Sequence, residues 1–177
     1  LHPDTLKDNN TKKMTDLICK LIKKNKSINF ILTYPNFDNG YEYIIKKFKY
    51  LSNNEVNVSF YKSLGDKMYL SLLKYCDVII GNSSSGLREG AFLGTPCVNI
   101  GTRQSGRERA ANVIDVKCDA NEIKTAIDNQ LKHGRYESSH LVGDGTAGTQ
   151  IANILATSNL KIQKQISYVS EDSKTSE

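Results

Sequence analysis

Apolar residues recur along this chain in two alternating rhythms. Between 11 and 24, Met14, Leu17, Ile18, Leu21 and Ile22 fall on one helical face. The next apolar run, 29–34, is short and ends at Pro35, as a buried strand would. Tyr41, Ile44, Ile45, Phe48 and Leu51 return to helical spacing over 41–51, and 56–61 reads as a second strand. A helix is predicted over 66–75 with Asp66 as its cap, then a strand over 78–80. A helix over 85–93 and strands over 97–100 and 113–116 follow. The last two elements are helices over 119–131, capped by Asp119 or Asn121, and 146–157. Helices alternating with short apolar strands predict an α/β fold with a parallel sheet covered on both faces. In such sheets ligands bind beyond the carboxyl ends of the strands.

At 177 residues the chain is long enough for one domain with a core of its own. The pattern places that domain in 1–158 and a polar tail of little order in 159–177. The net charge of +5 comes from lysines spread over helix faces, without the aromatic interleaving of a single-strand binder, so no nucleic-acid partner is expected. Cys19, Cys76, Cys97 and Cys118 sit among apolar neighbours outside any metal-ligand spacing; they read as buried free thiols, with no metal and no cofactor called for. A proline and charges occupy the first positions, and no apolar run approaches a membrane span. The expected setting is cytoplasmic, with no membrane partner.

The chemistry concentrates in 81–109. The run to Ile80 ends in Gly81-Asn82-Ser83-Ser84-Ser85-Gly86, which feeds the next predicted helix. A strand that stops at such a turn leaves backbone N–H donors and a helix dipole facing open space, an arrangement suited to phosphate. One helix cap accounts for a single serine, whereas here there are three and a glycine that permits close approach. Glu89 is favoured near a helix N-terminus by the dipole alone, or it binds ribose hydroxyls as acids do in dinucleotide sites. The next strand is followed by Gly101-Thr102-Arg103, with Arg107 and Arg109 close behind. Guanidinium groups bind phosphate bidentately, and either of the last two arginines can instead pair with Glu108 or Asp115. Two adjacent strand ends, one with hydroxyls and one with cations, suggest a diphosphate site. His2-Pro3 and Tyr34-Pro35-Asn36 fall at strand ends too; a lone histidine is more often structural, and an asparagine there suits the turn.

These motifs, in this order, resemble the C-terminal half of the UDP-N-acetylglucosamine 2-epimerases, nearest the hydrolysing branch. The family pattern has Gly-Asn-Ser-Ser-x-Gly-x-Arg-Glu, Gly-Thr-Pro and Gly-x-Arg-Gln-x-Gly-Arg, matched here at 81–89, 94–96 and 101–107. His2-Pro3, the 34–40 loop and Gly143-Asp144-Gly145 add three further matches. The resemblance implies a Rossmann-like doubly wound sheet, one domain of a two-domain GT-B architecture with the active site between the domains. A strand leads into the His-Pro in that family, so this chain is expected to be part of a protein about twice as long, and the first strand's absence to leave apolar sheet edges uncovered.

The resemblance also assigns roles. Ser83 and Ser84 would contact the UDP phosphates, with Ser85 and Gly86 supporting the approach, and Glu89 would hold the ribose. Arg103 would belong to the substrate site, and Asn36 would reach the nucleotide. Ser63, in the segment 62–64, would meet uracil mainly through backbone groups. His2 would contact the diphosphate and assist departure of UDP as a cationic imidazole. The implied substrate is a UDP-sugar, converted to UDP and a free 2-epimeric sugar for sialic-acid-type synthesis, with the acid/base residues in the other half. A homo-oligomer is implied for the full-length protein. A non-hydrolysing epimerase, a GT-B glycosyltransferase and a non-catalytic UDP-sugar module remain alternatives.

Overall fold

The computed structural model describes residues 1–4, 8–159 and 163. It divides into two compact units, Leu1–Val142 and Gly143–Glu177. The first begins with α1 (Asp8–Lys24), β1 (Phe30–Thr33), α2 (Tyr41–Asn54), β2 (Val58–Tyr61) and α3 (Gly65–Tyr75). Next come β3 (Ile79–Gly81), a single 3-10 turn (Ser84–Gly86), α4 (Glu89–Leu93), β4 (Cys97–Ile100), β5 (Val113–Val116) and α5 (Ala120–His133). The fold is α/β with every strand pair parallel.

The core follows the helical stripes. Met14, Ile18 and Ile22 of α1, Ile44, Phe48 and Leu51 of α2, and Ile123, Ala126 and Ile127 of α5 cluster with Val98 and Ile100 of β4. Each large side chain buried this way contributes ~1.5–3 kcal/mol. β4 lies between β3 and β5 and is buried at all four positions. Its one polar member, Asn99, donates to Asp115 Oδ1 of β5 at 2.6 Å. Asp119 caps α5 as expected, accepting the Asn121 and Glu122 N–H groups at 2.9 and 3.0 Å.

The strands form two separate sheets, β1-β2 and β3-β4-β5. Among the described residues β1 is paired to β2 and β3 to β4. Leu1 and His2 enter at the carboxyl ends of β1 and β3. Leu1 lies against Gly81, the last residue of β3, whose φ of 145° needs a glycine.

Three local expectations are corrected. Val56 is fully exposed, and β2 starts only at Val58. Asp66 is not a cap: α3 begins at Gly65 after Leu64, with no side-chain cap, and the Ser63 hydroxyl accepts the Gly65 N–H at 3.2 Å. The helix predicted over 85–93 is broken. The Leu87 and Arg88 N–H groups both bond to the Ser84 carbonyl, and α4 starts at Glu89. Buried Asn112 donates to the Gly86 carbonyl at 3.0 Å. The thiols are all free, Cys19 and Cys97 buried and Cys76 and Cys118 half-buried.

In the second unit α6 spans Ala147–Thr157. Asp144 sets its entry by accepting the Thr146 N–H at 2.9 Å and hydroxyl at 2.6 Å. The division at Val142 falls before this helix, whereas the sequence pattern put a boundary after 158. The tail over 159–177 lies outside the described residues apart from 159 and 163. Among the described residues no helix is long and apolar enough to cross a membrane, and no cluster of His, Cys, Asp and Glu could hold a metal.

Candidate functional site

The loops leaving β1, β3 and β4 meet at Asn82, the first residue after β3, which is 1% exposed. Its carboxamide grips the His2 residue by both main-chain groups: Oδ1 accepts the His2 N–H at 2.7 Å and Nδ2 donates to the His2 carbonyl at 2.9 Å. Its own carbonyl accepts Gln104 Nε2 at 2.8 Å and, more weakly, Arg103 Nη1 at 3.4 Å. On the other side the Asn36 N–H donates to His2 Nδ1 at 3.0 Å, and Asp38 lies 4.0 Å from Arg103 Nη2. Three of the expected positions, His2, Asn36 and Arg103, are thus linked around one buried amide.

The His2 geometry corrects the expected cationic imidazole. With Nδ1 accepting a hydrogen bond, the neutral ring carries its proton on Nε2. Burial first, and the positive charge of Arg103, push its pKa below the ordinary imidazole value. At neutral pH His2 is an uncharged donor.

The serine loop is organised differently. Ser83 accepts the Ser85 N–H at 3.3 Å and so caps the 3-10 turn. The Ser84 hydroxyl has no hydrogen-bond partner among the described residues. The Ser85 hydroxyl engages Tyr69 of α3, whose pKa is raised by burial in spite of that bond, with the Glu89 carboxylate nearby adding to the rise. Glu89 opens α4, and its Oε2 is buried without a hydrogen-bond partner. Buried polar atoms are satisfied in the great majority of cases, so an orphan carboxylate oxygen following the loop that carries the unengaged Ser84 hydroxyl marks a place where a donor is missing. Gly86 has another use than close approach to a ligand. It is buried, and a Cβ there would stand 2.3 Å from Cys97 Sγ, so the missing side chain lets the loop rest on β4.

The remaining expected residues separate. Arg109 braces the loop to β5 through Asp115 at 2.7 Å and the Gln104 carbonyl at 2.9 Å, which settles its open pairing; Arg107 is exposed. Ser63 is exposed beyond β2, and among the described residues no hydrogen bond links it to the Asn82 cluster. Asn82, Gln104 and Tyr69 were not among the expected site residues. The first two stand inside the quoted motifs, and their buried amides were the available signal; Tyr69 sits on a helix with nothing in its spacing to distinguish it.

Residues 1–156 match the family described as UDP-N-acetylglucosamine 2-epimerase. The GDP/UDP-N,N'-diacetylbacillosamine 2-epimerase (hydrolyzing) of Campylobacter jejuni is 40% identical over 115 residues, 64% of this chain and 30% of that protein. The polysialic acid biosynthesis protein P7 of Escherichia coli is 38% identical over 127 residues, 71% of this chain and 32% of that protein. The chain therefore spans about a third of the length of the curated relatives it matches. The crystal structure of Methanocaldococcus jannaschii UDP-GlcNAc 2-epimerase in complex with UDP-GlcNAc and UDP superposes with a TM-score of 0.64 at 18% identity, over 86% of this chain and 42% of that one. The fold is thus that of one part of such an enzyme, and with the family pattern running through residues 1–156, this chain belongs to the UDP-N-acetylglucosamine 2-epimerase family.

Proposed function

We propose that this chain is the UDP-binding half of a hydrolysing UDP-N-acetylglucosamine 2-epimerase acting on UDP-GlcNAc or a 4-acetamido derivative. The observation that carries the reading is the unpartnered, buried Glu89 Oε2 beside the serine loop, one strand from Arg103. An acceptor without a donor, following the serine loop and one strand from the Arg103 guanidinium, fits a ribose joined to a diphosphate. The hydrolysing activity printed for the C. jejuni relative favours water as the second reactant.

In this reading a base elsewhere in the whole protein removes the sugar C2 proton. The C–H electrons form the C1=C2 bond as the C1–O bond breaks, and UDP departs with that electron pair. Water then adds across the double bond of the 2-acetamidoglucal, its hydroxyl to C1 and a proton to the opposite face of C2. The products are UDP and the free 2-epimeric sugar, a precursor for sialic-acid-type synthesis. This chain's part is electrostatic. Arg103, the Ser83 and Ser84 hydroxyls and the His2 Nε2–H stabilise the charge that grows on the diphosphate. A neutral His2 contributes a hydrogen bond to that charge, and Arg103 contributes the cation.

The test is product analysis with the full-length protein, UDP-GlcNAc and water enriched in 18O. Free N-acetylmannosamine with the label at C1 is expected. A product still attached to UDP would replace this reading with the non-hydrolysing epimerase. Transfer only to an added sugar acceptor would replace it with a glycosyltransferase.

A further inference from the structure

We propose that Asn82 is a positioning residue that sets His2 and Arg103 relative to each other without touching the ligand. The proposal rests on the nucleotide-site reading given above, and the geometry that carries it stands independently. A single carboxamide closes a two-bond ring on the main chain of His2, at 2.7 and 2.9 Å. The main-chain carbonyl of the same residue receives Gln104 at 2.8 Å, and Gln104 is adjacent to Arg103 and 1% exposed. Eighty residues separate His2 from Asn82 and 22 separate Asn82 from Gln104, so no local turn can replace these bonds. The far end of the imidazole is held by the Asn36 N–H, which leaves Nε2–H as the free donor. Asn82 thus aims one neutral donor and one cation from a point that is itself sealed from solvent. A one-ångström error in such a pair is costly in catalysis, which is why a buried supporting amide matters.

The chemistry specifies asparagine. Aspartate has the same shape and still accepts the His2 N–H, but it has no donor for the His2 carbonyl and would set a buried anion against that oxygen. The cation beside the imidazole is Arg103. A carboxylate at position 82 would offset it and favour the protonated ring.

The experiment compares the full-length protein with Asn82→Asp and Gln104→Met by calorimetric titration with UDP. Thermal melts check folding. Ring nitrogen shifts of histidine-labelled protein report His2, assigned by its absence in His2→Gln. For folded Asn82→Asp, UDP affinity should fall by about tenfold, a cost of ~1.4 kcal/mol. The His2 titration should move up by about one pH unit. Packing damage alone would not produce that directed shift. Gln104→Met removes only the bond to the Asn82 carbonyl. It should weaken UDP about fivefold and leave His2 titrating as before. Folded Asn82→Asp with unchanged UDP affinity and unmoved His2 shifts overturns the proposal. If Asn82→Asp fails to fold, unchanged UDP affinity in Gln104→Met overturns it. If the unaltered protein takes no UDP, the nucleotide reading falls, and the His2 shifts in Asn82→Asp still decide whether the amide sets the ring.

Discussion

The two sides of the site are built on opposite terms. Around Asn82 most polar groups have partners within the chain: both Asn82 side-chain atoms on the His2 main chain, His2 Nδ1 on Asn36, and Gln104 Nε2 on the Asn82 carbonyl, with Gln104 Oε1 the buried exception. Across the serine loop the reverse holds, with Glu89 Oε2 buried and unpaired and the Ser84 hydroxyl unengaged among the described residues. The first side is assembled before any ligand arrives, and its ordering cost is met in folding. The second keeps an unfavourable buried acceptor that a ligand hydroxyl would relieve. Preorganisation and stored electrostatic cost are two ways to favour the same complex, and they leave different signatures when broken.

The largest effect is expected from Arg103→Ala, which removes the cation that faces outward from the assembled side. Loss of a charge-assisted contact costs about 1.5–3 kcal/mol, so UDP affinity should fall roughly 10- to 100-fold while the melting temperature barely moves, as titration and thermal melts will report. Gly86→Ala strikes the support beneath the second side. Its Cβ would meet Cys97 Sγ at 2.3 Å in a buried contact, so about 2 kcal/mol of stability should be lost in denaturant unfolding. Combining it with Cys97→Ala should restore part of that loss, and strict additivity would break the argument.

Glu89→Gln sharpens the contrast most directly. It replaces the buried, unbonded Oε2 side of the carboxylate with a neutral amide and should leave stability unchanged or raise it, while UDP binding weakens by about tenfold. Weakened binding together with lost stability would place Glu89 in the scaffold instead. The smallest effect concerns acid. Burial holds the folded His2 pKa below its ordinary 6.5, so the neutral ring contributes stability that is complete above pH 6.5. That contribution is lost as pH falls from 6.5 through the lowered pKa, because the unfolded chain takes up the proton first. His2→Gln should flatten the stability slope below pH 6.5 and change little at neutral pH.

Much of the fold was legible in the chain. The stripe 14, 18, 22 and the stripe 44, 48, 51 became the buried faces of α1 and α2 because a 3.6-residue period admits one such face. The same period identified α6 as a helix from the chain alone. The expected helix over 85–93 is a 3-10 turn over Ser84–Gly86 followed by α4 from Glu89, with the Gly86 carbonyl bonded to Asn112 from far along the chain.

The site was legible as a set of residue types at strand ends, and its wiring was not. Strand-end position follows from element order, which local patterns determine, so the placement of Ser83 to Gly86 and of Arg103 came from the chain alone. The charge on His2 did not, since it depends on burial and on a hydrogen bond from Asn36, 34 residues away. Nor did the role of Asn82, whose partners lie 80 and 22 residues distant. Sequence by itself determined which elements form and which chemistries stand at their ends, because both are local properties of backbone and residue type. Tertiary structure decided which polar groups meet, which are sealed from water and which keep their protons, because dielectric and hydrogen-bond satisfaction are set by neighbours brought together only when the chain folds.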